Sequence, residues 1–136
     1  MMLEEQLKKH MFFNKTGGYS IKKGSRGIIE TIDYTVELLS DKKNLVLLFP
    51  QGEIQSLYTQ KFRFEKGLGH ILKKVKGDVQ VLFLANLIDY FSSQKPTLYM
   101  YVKEYDKKDF EIENLENEYN RFYSACISGN TCRTES

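Results

Sequence analysis

Apolar residues recur along the chain at spacings that predict alternating helices and strands. Apolar positions three or four residues apart predict helices at residues 3–11, 25–39, 65–75 and 115–127. Continuous or alternating apolar runs predict strands at residues 19–21, 45–49, 79–88 and 97–102. The run at 79–88 is apolar on both faces, which is typical of a central strand. This order of elements predicts an α/β domain with a mostly parallel sheet flanked by helices.

Length and charge narrow the class of protein. A chain of 136 residues is one domain in size, so we expect a single domain over residues 1–127 and a disordered tail at 128–136. The formal net charge of +2 is too small to indicate nucleic-acid binding. The longest apolar run is about half as long as a membrane-spanning helix. Residues 1–10 are charged throughout, unlike a signal peptide, and we expect a cytoplasmic protein.

The cysteines and histidines do not have the spacing of a metal site. Cys126 and Cys132 lie near the end of the chain without the paired spacing of a zinc site, and we expect both to be reduced thiols. His10 and His70 are far apart in the sequence. The sequence therefore predicts neither a metal nor a bound cofactor.

The stretch Phe49-Pro50-Gln51-Gly52-Glu53 is the strongest candidate for a site. It overlaps the end of the predicted strand at 45–49, where a proline and a glycine are expected to stop the strand and turn the backbone. Gln51 and Glu53 then lie at the carboxyl end of that strand, which is the edge where open α/β sheets bind ligands. A polar loop over residues 51–61 follows, and loops of this length are often functional.

Four ordered stretches of the chain resemble parts of three of the four sequence blocks of the lysophospholipid acyltransferase family, which includes glycerolphosphate and lysophosphatidate acyltransferases. Residues 17–23 (GGYSIKK) resemble a block in which a glycine precedes a strand ending in Asp-Arg. Residues 49–54 (FPQGEI) resemble the block Phe-Pro-Glu-Gly-Thr-Arg, and residues 64–67 (FEKG) resemble the phenylalanine, basic residue and glycine that follow it. Residues 79–84 (VQVLFL) resemble an apolar strand block, without its prolines.

This resemblance implies an incomplete acyltransferase-like domain that belongs to phospholipid biosynthesis. Family members transfer an acyl group from an acyl thioester, such as acyl-CoA or acyl carrier protein, to a lysophospholipid or glycerol-phosphate hydroxyl. Their general base is a His followed at the fifth position by Asp. Here Lys15 stands five residues after His10 and Val75 five residues after His70. We therefore expect a domain truncated at the front, no catalytic residue in this sequence, and a chain inactive alone.

The resemblance also implies where an acceptor binds. Lys23 stands at an arginine position of the family, Gln51 at a carboxylate position and Ile54 at a second arginine position. The positive charge that binds a phosphate would then have to come from Lys61, Arg63 or Lys66. The expected substrate-binding residues are Lys22, Lys23, Arg26, Phe49, Pro50, Gln51, Gly52, Glu53, Arg63, Lys66 and Gly67.

The sequence leaves alternative functions open for the same residues. The chain is alternatively a non-enzymatic module that binds an anionic lipid head group or a partner protein. Phe62 and Phe64, which stand between cations, form either a membrane-contact edge or part of a core. A location at the inner face of the membrane and self-association through exposed apolar surface are both compatible with these readings. A nucleotide site is not expected, because Gly24-Ser25-Arg26-Gly27 matches neither the P-loop nor the dinucleotide fingerprint.

Overall fold

The computed structural model describes residues 2–3, 18–21, 25–106 and 110–133. These residues form three helices, one antiparallel hairpin and one very short parallel strand pair. In chain order the elements are β1 (Met2–Leu3), β2 (Ser20–Ile21), α1 (Ser25–Ser40), α2 (Lys66–Lys74), β3 (Val81–Asp89), β4 (Thr97–Tyr105) and α3 (Ile112–Thr131). The prediction of a mostly parallel sheet flanked by helices is therefore wrong for the part of the chain that the structure describes.

The antiparallel pairing of β3 and β4 follows from the short connection between them. Residues 90–96 join the two strands, and Val81 pairs with Tyr105 while Asp89 pairs with Thr97. A parallel pair needs a crossover of about a dozen residues or more, which this connection is too short to provide. The sequence predicted both strands, but the connection length decides their direction.

The predicted strand at residues 45–49 is absent from the structure. None of these residues is in a strand, Leu45 is 89% exposed and Phe49 is 55% exposed. A strand forms only when a neighbouring strand takes up its backbone hydrogen bonds, and each described strand pairs with one other, β1 with β2 and β3 with β4. The apolar run therefore indicated a propensity for strand formation but did not provide a second strand to pair with. The prediction that Gln51 and Glu53 lie at the carboxyl end of a strand is also wrong.

The chain divides into two compact units, of which the first contains Met1–Glu53 and Glu65–Val79. Here α1 packs against α2, and the buried residues include Ile32 of α1 and Ile71 and Leu72 of α2. An ion pair at the surface also joins the two helices, in which Lys74 Nζ of α2 donates to Asp33 Oδ1 of α1 over 2.8 Å. The helix pattern of the sequence is confirmed in this unit for α1 and α2.

The second unit contains Ile54–Phe64 and Gln80–Ser136. One face of the β3–β4 hairpin packs against α3, with Phe83, Ala85 and Tyr105 buried from the strands. From α3 the buried side chains are Leu115, Phe122, Tyr123, Cys126 and Asn130. Helix α3 runs to Thr131, four residues beyond its predicted end at residue 127. The described residues contain no helix that is both long and apolar enough to cross a membrane. A single domain over 1–127 with a tail at 128–136 stays a prediction.

Candidate functional site

Residues 49–53 form a tight turn whose geometry its own sequence explains. The N–H of Gly52 donates to the carbonyl oxygen of Phe49 over 3.2 Å, which closes a four-residue turn. Proline, the second residue, has its φ restricted by its ring, as this position of a β-turn requires. Gly52 has a φ of +69°, a backbone conformation that costs other residues free energy. We call this feature the 49–53 turn.

The 49–53 turn packs against the start of helix α2. The N–H of Glu65 donates to the carbonyl oxygen of Pro50 over 2.7 Å, and α2 begins at the next residue, Lys66. A Cβ added to Gly52 would lie 3.0 Å from Glu65 Cγ, so the glycine allows close approach. Within this unit, the structure therefore brings together residues from two of the stretches that carry the family resemblance.

The immediate surroundings of the turn are acidic. Glu53 is exposed, and Glu65 Oε1 lies 3.9 Å from the Cβ position of Gly52. Phe49 is exposed and Gln51 is half-buried. An amide such as Gln51 donates and accepts hydrogen bonds but cannot act as a base. The Gln51 amide is therefore suited to hold a hydroxyl group but not to remove its proton.

The predicted cations of the first unit that the structure describes are exposed on its helices. Arg26 is exposed in the first turn of α1, and its side chain has no hydrogen bond or ion pair to another described residue. Lys66 is exposed at the first position of α2, directly after Glu65. Gly67 follows in the helix, where a Cβ would meet nothing within 4 Å, so packing does not require a glycine there. The predictions for Lys22 and Lys23 lie outside the described residues.

In the second unit, Phe62 and Phe64 face inward, whereas Lys61 and Arg63 are exposed. The Phe62 ring contacts Tyr119 and Tyr123 edge-on, at centroid distances of 5.7 and 4.8 Å. Phe64 packs on Tyr119 at 5.5 Å. These contacts decide between the two interpretations of the phenylalanines: both side chains belong to an aromatic core and not to a membrane-contact edge. Of the residues predicted to form that edge, only the cations Lys61 and Arg63 are exposed.

Two side chains of α3 hold this segment by its backbone, and sequence reasoning did not identify them. Asn120 accepts from the N–H of Phe62 over 2.7 Å and donates to the Phe62 carbonyl over 3.0 Å. One turn earlier, Glu116 Oε2 accepts from the N–H of Phe64 over 2.8 Å. Their spacing of four residues on one helix face was visible in the sequence. Their role was not visible, because the backbone they bind is more than fifty residues away.

Burial accounts for the shifted titrations in the described residues. Removal from water raises the pKa of Tyr119, Tyr123 and Cys126 above their ordinary values, and the nearby Cys126 raises the pKa of both tyrosines further. A thiol with a raised pKa is a weak nucleophile at neutral pH. Cys126 is buried and Cys132 exposed, and both are free thiols. This cluster therefore has the character of a core and not of a reactive centre.

No metal site is found in the described parts of the chain. They contain no group of three or more His, Cys, Asp or Glu side chains arranged to hold a metal ion. His70 is exposed on α2. Comparison of the chain with models of known protein families gave no match, and comparisons with curated proteins and with solved structures gave none either.

Proposed function

We propose that the chain is the acceptor-binding portion of an acyltransferase of the lysophospholipid type. The observation that supports this most directly is the hydrogen bond from Glu65 to Pro50, which joins two of the stretches that resemble the family. These stretches are separated in sequence by the loop that precedes Phe64. A turn with an exposed aromatic (Phe49), a half-buried amide (Gln51) and an exposed carboxylate (Glu53) provides contacts for the hydroxyl-bearing end of a lipid-like acceptor.

The proposed roles follow from the chemistry of each group. Gln51 hydrogen-bonds an acceptor hydroxyl, and Phe49 contacts the apolar part of the acceptor next to it. Lys66 supplies positive charge for a phosphate, aided by the partial positive charge of the N-terminus of α2. The carboxylates of Glu53 and Glu65 would repel a phosphate placed close to the turn. The acceptor therefore binds with its hydroxyl, and not its phosphate, facing Gly52. The acceptor is a lysophospholipid or glycerol phosphate, and the site belongs to a cytoplasmic protein at the inner surface of a membrane.

Acyl transfer additionally needs a general base and an acyl thioester. Neither histidine of this sequence is followed by Asp at the fifth position. The function proposed for the chain by itself is therefore binding of the acceptor without transfer. An assay with acyl-CoA, lysophosphatidate and the purified chain is expected to yield no acylated product, and product formation above an enzyme-free blank would contradict this part of the proposal.

Nuclear magnetic resonance of the full chain tests the binding itself. Titration with glycerol 3-phosphate, and separately with a short-chain lysophosphatidate, should shift the amide signals of Gln51, Gly52 and Lys66. Gln51→Ala should weaken binding about two- to tenfold, the value of one hydrogen bond. Gln94→Ala is the matched control, because Gln94 is exposed in the connection between β3 and β4. Shifts at neither the turn nor Lys66 with either compound would refute the proposal.

A non-enzymatic module that binds anionic lipid is the second candidate function. It is favoured by the alternation at residues 61–64, which exposes Lys61 and Arg63 while both phenylalanines pack inward. Such binding would be electrostatic and without insertion of aromatic side chains. Sedimentation with vesicles containing phosphatidylserine should then be strong at low salt and be lost near 1 M salt, where the screening length falls to about 3 Å.

Variants of these two cations separate the second candidate from the first. Lys61→Ala/Arg63→Ala should reduce vesicle binding, while Lys42→Ala/Lys43→Ala, which removes two exposed lysines elsewhere, should leave it unchanged. Equal loss with both double variants would indicate a general effect of net charge. Absence of binding by the unsubstituted chain at low salt would eliminate this candidate and leave acceptor binding at the 49–53 turn unaffected.

A further inference from the structure

We draw no further inference here: the strongest candidate, the outward face of the β3–β4 hairpin with its exposed apolar residues Leu82, Ile88, Leu98, Met100 and Val102, carries none because nothing in the described residues shows what covers it.

Discussion

The N–H of Glu65 donates to the carbonyl oxygen of Pro50 over 2.7 Å, and this bond attaches the 49–53 turn to the start of α2. Glu65 is the N-cap of α2, and the N–H groups at the start of a helix have no carbonyl partner within the helix. The Pro50 carbonyl supplies that partner for the N–H of Glu65. The Glu65 side chain makes no capping hydrogen bond to α2. The attachment therefore depends on a conformation of the turn that places the Pro50 carbonyl within reach of the Glu65 N–H. Gly52, with its positive φ, is the residue that provides that conformation.

Replacing Gly52 by alanine should therefore destabilise the protein. The left-handed conformation costs a non-glycine residue about 1–2 kcal/mol, and the added Cβ would lie 3.0 Å from Glu65 Cγ. Urea unfolding of Gly52→Ala should show a loss of about that size in the free energy of unfolding. Gly67→Ala is the control, because it lies in α2 with nothing within 4 Å of its Cβ and should be stabilising by up to about 1 kcal/mol.

A double variant separates the two causes of the Gly52 effect. If contact with Glu65 Cγ contributes, Gly52→Ala/Glu65→Ala should be less destabilised than the sum of the single variants. If backbone strain alone acts, the two effects should add. A Gly52→Ala protein as stable as the parent would show that the 49–53 turn does not have the conformation described.

Removing the amide of Asn120 should release the segment that contains Phe62. Asn120→Ala leaves the backbone N–H and carbonyl of Phe62 without their partner on α3, and half-buried polar groups left unpaired cost about 1–3 kcal/mol. Urea unfolding measures the loss, and hydrogen exchange of the Phe62 amide should accelerate. Asn117→Ala, an exposed position of the same helix, is the matched control and should change stability by less than about 0.5 kcal/mol. Equal effects of the two variants would contradict the anchoring role of Asn120.

The tyrosine titrations predict that stability falls in alkaline solution. Burial raises the pKa of Tyr19 above 10.0; the hydrogen bond with Thr35 lowers this pKa in part, and Tyr34 nearby raises it again. The proton concerned is that of the Tyr19 hydroxyl, which forms a 2.7 Å hydrogen bond with Thr35 Oγ1 that either hydroxyl can donate. Because the folded state retains this proton to higher pH than the unfolded state, the stability is fully present below about pH 10 and decreases as the pH rises further.

Single tyrosine variants test this relation. Tyr19→Phe should show a smaller loss of unfolding free energy than the parent between about pH 9 and pH 11, because one proton fewer is linked to unfolding. Tyr58→Phe should behave like the parent, since Tyr58 is almost fully exposed. Urea unfolding at a series of pH values provides the measurement. The same slope in Tyr19→Phe and in the parent would show that Tyr19 is not linked to folding.

The two thiols should differ in reactivity. Cys132 is exposed, whereas Cys126 is buried on α3 and burial raises its pKa. With a thiol reagent at neutral pH, we expect one fast reaction that Cys132→Ser removes, and a second that appears only in denaturant. Cys126→Ser should leave the fast reaction unchanged. A fast reaction that survives Cys132→Ser would mean that Cys126 is accessible in the native state.

The sequence located the 49–53 turn correctly but misjudged what surrounds it. Pro50 and Gly52 predict a turn because their backbone preferences are local, and the structure has one. The preceding apolar run was predicted as a buried strand, yet Leu45 is largely exposed. Burial depends on which other segment lies against the run, and no residue within the run carries that information. The same limit applies to Phe62, whose inward direction depends on Asn120 and Tyr123 of α3.

The sequence by itself determined the helices and the two long strands, because apolar periodicity is a property of neighbouring residues. Helices α1, α2 and α3 and strands β3 and β4 all lie where that periodicity places them, with ends shifted by a few residues. Only the tertiary structure decided how these elements combine. It made β3 and β4 an antiparallel hairpin, left residues 45–49 outside any strand, and joined the backbone of Pro50 to that of Glu65. Strand pairing and attachment of loops depend on contacts between distant residues, and local pattern does not specify those contacts.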